Sequence, residues 1–173
     1  MTINIRRAQT EDLSKYTELL QKTYEDACVN DAIGLTKECF SREIFNSQDT
    51  QKYLLSNLVN NDKQSCWLAF DQSDMVGSIS IIEKEDEYEL RGFYVSKEYQ
   101  GHGIGKRLWN KVIKGVKDKD ITLDIYEHNK STIEIYKKWG FVIDISKGRF
   151  FRHWPEWPDN VKASCLYMRY HQD

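Results

Sequence analysis

No stretch of the 173 residues approaches the roughly 18 consecutive apolar residues that a membrane-spanning helix needs. The opening Met1-Thr-Ile-Asn-Ile-Arg6 also lacks the basic start and apolar run of a secretory signal. A cytoplasmic protein with no membrane partner is therefore expected. An excess of one charge is missing too: 25 Lys and Arg stand against 27 Asp and Glu, a formal net charge of −2, which argues against broad nucleic-acid binding. The four cysteines, Cys28, Cys39, Cys66 and Cys165, form no C-x-x-C pair and have no histidine pattern nearby that would frame a metal. Structural thiols and no metal site are expected. Internal repeats, low-complexity tracts and linkers are absent, and the two prolines both fall in one short aromatic stretch, Phe150–Pro158. One domain over residues 1–173 fits this length.

What is present is an apolar fraction of 40% with 13% aromatics, enough for a core. Ile3 and Ile5 alternate with polar residues as a first strand, and Thr10-Glu-Asp12 reads as the N-cap and first turn of a helix with Leu13, Tyr16, Leu20 and Tyr24 on its apolar face. Residues 35–45 and 49–59 carry further helical spacing. The period then changes to two. Residues 66–70 and 75–82 predict a hairpin, and residues 88–95 a third antiparallel strand. A helix over 103–116 leads to a strand at 121–126, which should run parallel to the one ending at Val95. A helix over 131–139 stopped by Gly140, and strands at 141–145 and 165–170, complete the reading, with 150–158 as a connection.

The chemistry is concentrated in Gln100-Gly-His-Gly-Ile-Gly-Lys106, which follows a strand and opens a helix. Free N–H groups and the helix dipole bind anions in that setting, and glycines at 101, 103 and 105 remove Cβ atoms and tolerate positive φ. A dinucleotide fingerprint starting at Gly101 needs glycine where Lys106 stands and should end the first strand of a parallel sheet, although Asp124 lies at about the right distance for a ribose ligand. The P-loop pattern needs Lys followed by Ser or Thr, and here Lys106 is followed by Arg107.

The segment Leu90-Arg-Gly-Phe-Tyr-Val-Ser-Lys-Glu-Tyr-Gln-Gly-His-Gly-Ile-Gly-Lys106 resembles the acetyl-CoA signature of GNAT acetyltransferases, whose core is Gln/Arg-x-x-Gly-x-Gly/Ala. Asn129-Lys-Ser-Thr-Ile-Glu-Ile-Tyr-Lys-Lys-Trp-Gly-Phe141 resembles that family's second motif, with Thr132 where a small Ala is usual. The resemblance spans about Ser65 to Val142 at motif level. It implies an α/β fold with a mixed, mostly antiparallel central sheet of six to seven strands, about four to five helices and a splayed parallel pair at the cofactor site. It also implies an acetyl-CoA-dependent N-acetyltransferase.

By that resemblance, main-chain groups of Phe93, Tyr94 and Val95 pair with the pantetheine arm, and the Val95 amide polarises the thioester carbonyl, where negative charge develops. Gln100, Gly101, His102, Gly103, Ile104, Gly105 and Lys106 form the pyrophosphate cradle. Asn129 bonds the pantetheine arm or caps the following helix, and Tyr136 protonates the departing thiolate as general acid or is a core aromatic. Lys106, Arg107 and Lys138 are candidates for the phosphates, within a segment, 97–119, that holds seven Lys or Arg against two acids. Glu89 is the candidate general base, with Glu127 and His128 behind it.

The expected partner is a small-molecule amine. Residues 8–63 hold ten acids against six Lys or Arg, a balance suited to a cationic acceptor such as a polyamine or to an ordinary acidic surface. Antibiotic, amino-acid and protein N-terminal or lysine amines are alternatives. Phe150, Phe151, Trp154 and Trp157 suit an acceptor pocket, a homodimer interface or simple packing. A non-catalytic acyl-CoA sensor and a nicotinamide-dependent dehydrogenase are the rival readings.

Overall fold

The structure, a computed structural model, describes residues 2–172. Strand β1 (Ile3–Arg7) is followed by helix α1 (Leu13–Ala27), the short α2 (Arg42–Phe45) and α3 (Gln48–Asn57). Strands β2 (Gln64–Asp71), β3 (Asp74–Glu83) and β4 (Tyr88–Val95) then form the predicted antiparallel run. Helix α4 (Ile104–Val112), β5 (Ile121–Tyr126), α5 (Lys130–Lys138), β6 (Val142–Ile143), β7 (Arg149–Arg152) and β8 (Ala163–Tyr170) complete the chain. The sheet order is β1-β2-β3-β4-β5-β8, with β6 and β7 both on the outer edge of β8. As expected, β4 and β5 form the one parallel pair among the described residues.

The period-two strands put alternate residues on opposite faces, and each face has its own core. On one face α4 and α5 bury Ile104, Leu108, Val112, Ile133 and Tyr136 against Ile79, Leu90, Leu123 and Met168. On the other, α1 to α3 bury Tyr16, Leu20, Phe45 and Leu54 against Leu68, Phe70, Tyr126 and Cys165. All four cysteines are buried free thiols.

The sheet has eight strands where six to seven were expected. The aromatic segment after Gly148 is not wholly a connection: Arg149–Arg152 pairs with residues 163–166 of β8. The helix expected over 35–45 is instead a 3₁₀ turn at Lys37–Phe40 and the single turn α2, separated by an extended Ser41 whose hydroxyl caps α2 at Ile44 N. The expected Thr10 cap is displaced by one residue: Gln9 is extended, and its backbone N–H donates to Asp12 Oδ2 at 2.8 Å. Helix α4 ends at Val112 rather than 116, tightening into a 3₁₀ turn at Ile113–Gly115. Gly140 takes φ +95° after α5, as a C-cap glycine should.

Candidate active site

The parallel pair is paired only at Tyr88↔Ile121 and Glu89↔Thr122, and beyond Glu89 the two strands separate. On its other edge β4 stays joined to β3, with Ser78↔Tyr94 and Gly77↔Val95 in register. Ser96 N donates to Val76 O at 3.0 Å. Because backbone groups alternate along a strand, Tyr94 is the other residue that bonds β3, and the N–H groups of Phe93 and Val95 point into the gap. Tyr94 was expected to offer its main chain to a ligand there; its main chain serves β3 instead. The Val95 carbonyl accepts from Gln100 Nε2 at 3.0 Å, which ties the start of the glycine loop to the end of β4.

A bulge brings β4 to this position. Between Ser80↔Arg91 and Ser78↔Tyr94 two residues of β4 oppose one of β3, and Gly92 has φ +53°. Ser78 Oγ donates to Gly92 O at 2.7 Å, and a Cβ on Gly92 would meet the Tyr16 hydroxyl at 2.5 Å. Glycine is required here on both counts.

The loop then delivers an open helix end. Gly101 and Gly103 have φ +79° and +76°, with no heavy atom within 4 Å of an added Cβ. No side chain caps α4, so its first N–H groups are available to an anion. Gly105 differs from the expectation: it lies inside the helix with ordinary φ, and its added Cβ would touch Trp139 at 3.5 Å. Ile104 is buried and anchors the helix, while His102 and Lys106 are exposed, the His102 ring staying against the Gln100 and Tyr99 carbonyls. Arg107 donates to the Ile3 carbonyl at 2.8 Å, which leaves Lys106 as the uncommitted cation of the loop.

Asn129 caps α5, its Oδ1 accepting from Thr132 N at 3.4 Å. Its amide NH2 has no partner among the described residues. Tyr136 is buried against Phe93 and Phe141, with ring centroids 6.2 and 5.3 Å away. Burial, with Asp124 nearby, raises its phenol above the ordinary value, so it carries its proton at neutral pH. Lys138 is exposed at the end of α5.

Glu89 sits at the last paired register of the parallel pair. Burial alone would raise it, but hydrogen bonds from Arg91 and the charges of Arg91 and Lys84 prevail and hold it below the usual carboxylate range. A carboxylate in that state is a weakened base. Glu127 is bound by Arg149 and Ser164, and His128 Nε2 donates to the Cys28 carbonyl at 2.8 Å while stacking on Tyr126.

Sequence reasoning did not find what surrounds these groups. Asp124 is held by Arg152 at 2.6 Å, and that guanidinium lies over the rings of Tyr126 and Phe150. Tyr24 and Tyr94 share a hydroxyl–hydroxyl hydrogen bond of 2.9 Å. Trp154 packs on Tyr24, Phe40 and Phe45 and stacks on Trp157, so two of the four candidate aromatics close this side of the site. Phe150 packs on Tyr167, and Phe151 is exposed. No cluster of metal-binding side chains occurs among the described residues.

A parallel pair that opens beside an uncapped helix end defines an α/β protein suited to an extended ligand that ends in phosphates. The antiparallel strands before the loop exclude a dinucleotide fold of doubly wound type. Residues 19–141 match the model of the acetyltransferase (GNAT) family, and the chain belongs to that family. An uncharacterised N-acetyltransferase of Methanocaldococcus jannaschii is 26% identical over 150 residues, 81% of this chain and 61% of that protein. The spermidine N(1)-acetyltransferase of Thermoplasma acidophilum is 26% identical over 87% of this chain and 95% of its own length. The crystal structure of the PaiA N-acetyltransferase of Thermoplasma acidophilum with coenzyme A superposes with a TM-score of 0.73 at 20% identity, covering 99% of this chain and all of that one. No helix among the described residues is long and apolar enough to cross a membrane.

Proposed function

We propose that the protein transfers the acetyl group of acetyl-CoA to a primary amine of a small molecule, by direct attack of the amine while both substrates are bound. One observation carries this reading: the β4 edge is open from Leu90 onward, with the Phe93 and Val95 N–H groups directed into the opening and the uncapped end of α4 beyond it. The residues present fit acetyl-CoA, because an extended pantetheine arm can pair with that edge as an added strand while its pyrophosphate meets the α4 amides. Acetyl-CoA supplies a thioester whose carbonyl is activated for attack by nitrogen.

The chain's own groups then divide the work. Val95 N–H donates to the carbonyl oxygen, where negative charge grows as nitrogen bonds to carbon. Tyr136 gives a proton to the sulfur as the carbon–sulfur bond breaks, and the second proton lost by nitrogen balances it. Gln100 fixes the Val95 peptide, Gly101 and Gly103 turn the loop, His102, Ile104 and Gly105 contribute main-chain groups, and Lys106 and Lys138 supply positive charge. Asn129 donates from its free amide to the pantetheine arm. Glu89, at the last paired register of β4 and β5, stays an anion held by Arg91 and Lys84.

A polyamine is the acceptor favoured within this reading. Its support is the −4 balance of residues 8–63 and the naming of a 26% identical relative as a spermidine acetyltransferase. The test is release of free thiol from acetyl-CoA with polyamines, amino acids, aminoglycosides and peptides. Turnover with one class establishes the reaction and its acceptor. Tight acetyl-CoA binding without turnover on any amine would replace the enzyme with a sensor.

A further inference from the structure

Each carboxylate and imidazole considered above as a base is already engaged: Glu89 by Arg91 and Lys84, Glu127 by Arg149 and Ser164, and His128 by the Cys28 carbonyl. The acceptor still arrives as an ammonium and must shed a proton before it can attack.

The Tyr24 and Tyr94 hydroxyls, 2.9 Å apart, stand on the face of β4 opposite Phe93 and Val95, next to the Val95 peptide in sequence. Both side chains are half-buried. Their rings lie 5.6 Å apart, and Tyr24 is fixed among Phe40, Phe45 and Trp154 at 5.5 to 5.7 Å, so the hydroxyls are held without help from a solvent-exposed element. In such a pair one hydroxyl donates to the other, and each oxygen keeps a lone pair for a further donor. A primary ammonium, with three N–H donors and a charge that aromatic faces attract, matches that arrangement. Burial keeps both phenols protonated at neutral pH, so they act by passing a proton along and not as phenolates.

We propose that Tyr24 and Tyr94 together seat the acceptor's amino group and carry its first proton away; this deepens the acetyltransferase reading and rests on it. One N–H bond of the ammonium breaks, its proton goes to one phenol oxygen, that phenol's own proton moves to the second oxygen, and the second phenol's proton passes to water. The neutral amine left behind keeps its electron pair for the thioester carbon. The seat holds the nitrogen and not the body of the acceptor, so its contribution is the same for every amine used.

The experiment takes Tyr24→Phe, Tyr94→Phe and the double variant, which retain the rings and their packing. Wild-type thiol release is measured first, with a polyamine and a simple monoamine. If it is absent with every amine, the acetyltransferase reading has failed, and this inference falls with it. Given turnover, each single variant should lose about tenfold or more in kcat/KM for the amine, by a similar factor for both acceptors. The double variant should lose little more than a single one, because the two act as a unit. Acetyl-CoA affinity should be unchanged, and the pH at which the rate reaches half its plateau should rise. Turnover equal to wild type in both single variants, fully additive losses, or losses confined to acetyl-CoA affinity would overturn the proposal.

Discussion

Replacing Gly92 by Ala tests the geometry that opens the site. An Ala at φ +53° costs about 1–2 kcal/mol from the left-handed backbone alone. The added Cβ would also lie 2.5 Å from the hydroxyl of Tyr16, a fully buried side chain in a packed face, and overpacking of that kind costs about 1–3 kcal/mol. The sum is about 3 kcal/mol. For a chain of this size that lowers the melting temperature by about 6–12 °C. Gly101→Ala is the internal control, with φ +79° and open space around the added methyl; it should lose only the backbone part. No hydrogen bond of normal geometry reaches the Tyr16 hydroxyl among the described residues, so Tyr16→Phe alone should be close to neutral or slightly stabilising. Combined with Gly92→Ala, it should recover the steric part and leave the backbone part. Thermal and urea unfolding of the four variants read these terms directly. Equal losses for Gly92→Ala and Gly101→Ala, or no coupling between positions 16 and 92, would refute the reasoning.

Tyr136→Phe should lower kcat by about a hundredfold or more while acetyl-CoA affinity stays within about twofold, because only the proton donor is lost; equilibrium binding beside steady-state rates checks this. Gly103→Ala, with φ +76° at the head of α4, should weaken acetyl-CoA binding, and wild-type affinity should fall as salt rises if phosphates meet the loop; titration calorimetry at two ionic strengths decides. Hydrogen bonds from Arg6 hold the largely buried Asp12 below the usual carboxylate range. Its folded value lies under the unfolded one of about 3.9, so its contribution is complete above that pH and is lost as pH falls through the folded value. Asp12→Asn should therefore melt below wild type at pH 7, and the two curves should converge in acid.

The sequence by itself determined what depends on neighbours along the chain. The glycine loop, the uncapped start of α4, the β2–β3–β4 run and the Gly140 stop rest on backbone preferences within a few residues, and those were legible in residues 64–141. Strand β7 was not, because Arg149–Arg152 is a strand only through its pairing with β8. Nor was the fate of several side chains legible. Arg107 is captured by a carbonyl 104 residues away, and the Tyr24 and Tyr94 hydroxyls meet across 70 residues of chain. Spacing identifies Glu89 as an acid on a strand, yet Arg91 and Lys84 decide whether it can accept a proton. Even the opening of the parallel pair depends on where hydrogen bonding between β4 and β5 stops. Local propensity fixes which element forms, whereas the state of a buried charge or hydroxyl is set by whichever groups the fold brings within about 3 Å of it.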